Sequence, residues 1–90
     1  MRTTIIDKIN ALPYKNTPQI FGGAMWACEH WADGNWEKFC EYIPLVVSRA
    51  KAYEFEGTIA EALQIFCDLC GVVDIGLIEA YLGIRFNSIK

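Results

Sequence analysis

The chain has 90 residues, enough for one domain around one core. Its formal charge is −3, with lysines and arginines scattered rather than clustered. That argues against a nucleic-acid partner, which needs a concentrated positive footprint, and no apolar run approaches the 18 or so residues that span a bilayer. The apolar share of 53% is high for so short a chain and predicts surface left over for self-association or a protein partner.

The start, "MRTTIIDKIN", carries charges where the apolar stretch of a secretory signal would stand. The expected location is therefore cytoplasmic, with the cysteines as reduced thiols. Ile5, Ile6, Ile9 and Leu12 recur at helical spacing, so a first helix is predicted from Thr4 to Leu12, capped by Thr4 and stopped by Pro13. "NTPQI" opens a second helix, with Thr17 as cap and Pro18 as first residue, running to about Ala32. "ADGNW" is a turn, and Asn35 caps a third helix from Trp36 to about Phe55. Pro44 bends that helix; the alternative is two short helices broken before Pro44.

"EGTIAEALQIFCDLCG" predicts the clearest element. Thr58 and Glu61 form a capping box, Gly71 is a left-handed stop, and only Glu61, Gln64 and Asp68 make a polar stripe. This helix should be central. A fifth helix follows, capped by Asp74, with Ile75, Leu77, Ile78, Tyr81 and Leu82 inward and Gly83 at its end. Ile84 and Phe86 of the tail are expected to pack. The predicted fold class is all-α, a single-domain bundle of about five short helices over residues 1–90.

Four cysteines and one histidine raise the question of a metal. Cys67 and Cys70 form a C-x-x-C, the alternative metal pair, which Cys28, His30 and Cys40 could complete. However, the pair falls in the last turns of an apolar helix, whereas zinc knuckles use turns. A redox role needs a thiolate at a helix N-terminus, and here the C-terminal dipole opposes the anion. Cys28 and His30 are two apart on one helix and diverge, so a Cys–His catalytic pair is not expected. These cysteines read as small core hydrophobes, with no cofactor and no enzyme activity implied. The last two helices have the length and turn glycine of a helix-turn-helix, but the recognition helix would offer Asp74, Gly76 and Glu79 to DNA, with no basic residue.

Phasing the second helix at about 100° per residue separates its side chains. Ile20, Phe21, Ala24, Met25, Ala27, Cys28, Trp31 and Ala32 gather on a core face. Trp36 leads the core face of the third helix, with Phe39, Ile43, Val46, Val47 and Ala50. Gly22, Gly23, Trp26, Glu29 and His30 fall on the other side of the second helix. Two adjacent glycines cost helix stability, a cost accounted for where something must approach the backbone closely. A tryptophan beside a bare patch has the composition of an interface hot spot. These five residues are the candidate partner-binding site. The expected function is a small acidic, non-enzymatic interaction module that binds and regulates or inhibits another protein, with homodimerisation through the same patch a further expectation. A zinc-stabilised domain and a helix-turn-helix regulator are the alternatives.

Overall fold

The computed structural model describes residues 2–89. It is all-α, and among the described residues there is no strand. The five expected helical rods are present, two of them interrupted. α1 covers Arg2–Ala11, α2 Thr17–Phe21, α3 Ala24–Ala32, α4 Trp36–Cys40, α5 Tyr42–Ala52, α6 Ile59–Leu69 and α7 Ile75–Leu82, and a 3₁₀ turn follows at Phe86–Ser88.

α1 begins at Arg2, so Thr4 lies inside it rather than capping it. No glycine or proline precedes Ile5 to stop the helix from extending backwards. Its end before Pro13 follows from the clash a proline imposes on a helical predecessor. Ile5 and Ile9 are buried, while Ile6 points out.

The second rod is broken at Gly22–Gly23. Thr17 is its first helical residue, and Asn16, left-handed at φ 61°, holds the cap position. The glycine backbones stay right-handed, but the coil tightens there. The N–H groups of Met25 and Trp26 donate to the Gly22 and Gly23 carbonyls three residues back, at 3.2 and 3.1 Å. Low helix propensity at two successive residues makes that distortion inexpensive.

The third rod breaks at Glu41 instead of bending continuously through Pro44. Pro44 lies in the first turn of α5, where its missing N–H removes no hydrogen bond from a helix interior. The Glu41 N–H is shared between the Glu37 and Lys38 carbonyls, which closes α4. α5 ends at Ala52, three residues short of Phe55, because Glu54 turns left-handed at φ 53°.

α6 is central, as its narrow polar stripe requires. Ala62, Leu63, Phe66, Cys67 and Leu69 are buried, and it packs against α1, α3, α5 and the 3₁₀ turn. Its cap departs from the reciprocal box. Thr58 Oγ1 accepts the Glu61 N–H at 3.0 Å, but the Glu61 carboxylate takes the Thr58 hydroxyl at 3.3 Å rather than a backbone N–H. Gly71 (φ 82°) then reverses the chain.

α7 corrects the expected inward set. Ile78 is fully buried, and Ile75 and Leu82 pack against the core, but Leu77 and Tyr81 are exposed. An eight-residue helix at the edge of the body has neighbours on one side only. Phe86 is buried as expected, held by its N–H donating to Glu79 Oε2 at 2.8 Å, whereas Ile84 is exposed. Trp36 is half-buried and stacks on half-buried Trp31 at 5.2 Å and 20°, at the margin of the core rather than inside it. Ala32, placed on the core face by phase, is exposed at the end of α3.

Replacing the α6 cap tests how much the central helix depends on it. Thr58→Ala should cost about 1 kcal/mol, read as a midpoint lowered by about 4–8 °C in thermal denaturation.

Candidate functional site

The five residues of the predicted patch do not share one environment. Gly22 is half-buried and lines a groove of about 330 Å³ with Ile6, Ile9, Asn10, Pro18 and Met25, between α1 and the α2–α3 junction. Gly23 faces the other way, toward α5. A methyl group there would lie 3.0 Å from Tyr42 Cδ1 and 3.4 Å from Cε1. His30 is half-buried with its ring 6.1 Å from that of Tyr42, and lines a second hollow with Lys38, Glu41, Tyr42 and Leu45. The close approach that Gly23 permits is thus made by Tyr42 of the same chain.

Trp26 and Glu29 are the two members of the patch that face solvent. Trp26 is 47% exposed. It stands one turn beyond Gly22, which lines the first groove, and one turn before His30, which lines the second hollow. That groove is walled entirely by uncharged residues. The sequence reading found Gly22 and Trp26 but missed Ile6, Pro18 and Met25. Ile6 follows buried Ile5 directly, about 100° round the helix, and is exposed.

The glycines answer to different neighbours. A methyl at Gly22 would meet the Pro18 carbonyl oxygen at 2.5 Å, a backbone atom that cannot rotate away. At Gly23 the opposing atoms belong to a ring that can shift by a few tenths of an ångström.

All four cysteines are free and buried. Cys28 Sγ donates to the Met25 carbonyl at 3.6 Å, and Cys70 Sγ reaches the Ala24 carbonyl, one helical turn before Cys28, at 3.9 Å. Burial pushes the Cys67 thiol up to about 12, reinforced by the neighbouring Asp68 and Cys40. Burial also raises Cys70, and to a smaller extent Cys40. Among the described residues, no three His, Cys, Asp or Glu side chains converge as metal ligands would. The arrangement of Cys67 and Cys70 favours neutral thiols packed between helices, not thiolates around an ion.

α6 and α7 do turn about Gly71, but the outward side of α7 carries Gly76, Leu77, Ala80 and Tyr81, and no basic residue lies within the helix. Among the described residues, no helix is long and apolar enough to cross a membrane. No protein-family model, curated protein or solved structure matches the chain.

Two measurements follow from this geometry. Gly22→Ala should destabilise the fold by about 1–3 kcal/mol despite the gain in helix propensity, and Gly23→Ala by clearly less; denaturant midpoints of the two variants check the order. The Cys67 thiol is neutral in the folded protein up to about 12, against an ordinary value of 9.0 when unfolded. Above the lower value the unfolded chain binds fewer protons than the folded one, so stability is complete below pH 9 and falls as pH climbs toward 12. Cys67→Ala should flatten that decline in urea titrations across the same interval.

Proposed function

We propose that this chain is a non-enzymatic protein-interaction module that binds another protein and regulates or inhibits it. The observation that supports the reading is Trp26, 47% exposed on α3 and one helical turn from Gly22, which lines an uncharged groove with Ile6, Ile9, Asn10, Pro18 and Met25. Burying a tryptophan removes roughly 150–250 Å² from water, more than most other side chains offer. A groove of this kind receives an apolar side chain of a partner, and the indole closes over it. The site residues in this reading are Gly22, Trp26 and Glu29, together with Ile6, Pro18 and Met25; Gly23 and His30 act on Tyr42 and so on the shape of the fold.

Trp26→Ala tests the assignment. The variant should keep its circular dichroism and lose only a few degrees of melting temperature, less than the 3–5 kcal/mol that truncating a core tryptophan costs. Proteins recovered on the wild-type chain from its native cells should be depleted on the variant. A partner so identified, purified and titrated, should bind the variant at least about 30-fold more weakly. Equal affinity, or an unfolded variant, would remove Trp26 from the binding surface.

A further inference from the structure

We infer, building on the Trp26 surface proposed above, that its partner is a basic, amphipathic segment of another protein. An apolar side chain of that segment enters the groove that Gly22 lines, and its arginines or lysines cover Trp26 and pair with Glu29 and Asp33. The charge of the chain is concentrated there. Residues 24–41, which make up α3, α4 and the turn between them, hold four of the eleven acidic residues: Glu29, Asp33, Glu37 and Glu41. They hold one of the eight lysines and arginines, Lys38. The rest of the chain holds seven of each. The whole formal charge of −3 therefore belongs to the segment that carries Trp26. All four of its carboxylates are exposed.

Helical phase sets these groups in order. Trp26, Glu29 and Asp33 occupy the i, i+3 and i+7 positions of one face of α3, with Asp33 as its C-cap. The two carboxylate residues follow the indole at about 4.5 and 10 Å along the axis. On the other side, one turn before Trp26, Gly22 opens the uncharged groove. The face thus runs from apolar at Gly22, through an indole that is 47% exposed, to acidic at Asp33. A neutral partner that covered Trp26 would strip water from the carboxylates beside it, at a cost. A guanidinium offsets that cost and also lies well on an indole face, where the ring quadrupole attracts a cation. A second copy of this chain is excluded as occupant by the same charges. A twofold contact sets identical patches together, and each copy would bring its own Glu29 and Asp33 against those of the other. Nucleic acid and anionic lipid are repelled for the same reason.

The probe is a synthetic peptide of about 15 residues with leucines at helical spacing and arginines between them. Two control peptides replace every arginine by glutamine or by glutamate. Titrated into the isotope-labelled full chain, the arginine peptide should shift amide resonances concentrated in residues 22–41. It should bind at least about 10-fold more tightly than the glutamine peptide, a preference that shrinks between about 50 and 300 mM salt. The glutamate peptide should not bind. Glu29→Gln combined with Asp33→Asn should weaken the arginine peptide by about 3- to 10-fold and leave the glutamine peptide unchanged. Glu56→Gln combined with Asp68→Asn removes the same charge from exposed positions elsewhere and should change the affinity by less than about twofold. Trp26→Ala should weaken the arginine and glutamine peptides alike. Equal affinity for those two peptides overturns the basic partner and leaves the Trp26 surface standing. Binding that depends on Glu29 and Asp33 but ignores Trp26→Ala overturns the Trp26 surface itself. Equal losses in the two double variants reduce the effect to net charge and refute the inference, as do shifts spread over the whole chain or no binding by any peptide. If Trp26→Ala fails to fold, the two double variants, which alter only exposed side chains, decide.

Discussion

Phe66 of α6 is where the other elements are brought to one point. Its ring lies 5.8 Å from that of Phe39 on α4 and 6.4 Å from that of Tyr42 on α5. Phe39 in turn meets Trp31 of α3 at 5.2 Å. Four helices are therefore registered against one another through rings in contact, each pair adding specific geometry to the area it buries. Truncating such a phenylalanine costs about 3–5 kcal/mol, a large share of the 5–15 kcal/mol that holds an ordinary domain. The position of every surface feature, Trp26 and α7 included, depends on that column. Trp31 leaves it to stack on Trp36, and Trp36 leads to Tyr81.

Much of this was legible in the sequence because it depends on local chemistry. Thr58 and Asp74 cap their helices with the side-chain bonds their residue types make, and Gly71 and Gly83 reverse the chain with positive φ. The burial of α6 followed from its narrow polar stripe. What escaped the sequence depends on neighbours. Gly22–Gly23 and Glu41 interrupt helices whose dihedral angles scarcely change; a hydropathy pattern runs through such tight spots without a break. Helical phase grouped Gly23 and His30 with Trp26, yet could not show that α5 would bring Tyr42 against Gly23 and His30. The groove lined by Ile6, Pro18 and Met25 arises where two helices meet, and no single helical wheel contains it.

The cysteines show the same division. A C-x-x-C is a spacing, and spacing is shared by metal sites, redox sites and cores. The surroundings decide, because only a thiolate binds metal or attacks a disulfide. At the C-terminal end of α6, with Asp68 adjacent and the chain packed around it, Cys67 is held neutral. The thiols of Cys28 and Cys70 donate weak hydrogen bonds to the carbonyls of Met25 and Ala24.

Composition posed a question that only the placement of helices answers. A 90-residue body has too little interior for a chain that is 53% apolar. α6 confines its polar side chains to the stripe of Glu61, Gln64 and Asp68, and α7 carries one charged side chain, Glu79, so either could have been central by hydropathy alone. α6 has eleven residues, and α1, α3 and α5 close around it; α7 has eight and lies at the edge, where Ile78 alone is fully enclosed. The apolar surplus is consequently not spread evenly as isolated exposed side chains, which would need no account. Part of it lies along α7 at Leu77 and Tyr81, where Tyr81 meets Trp36, and part at Ile6 and Trp26, with Leu45 and Tyr53 exposed as well.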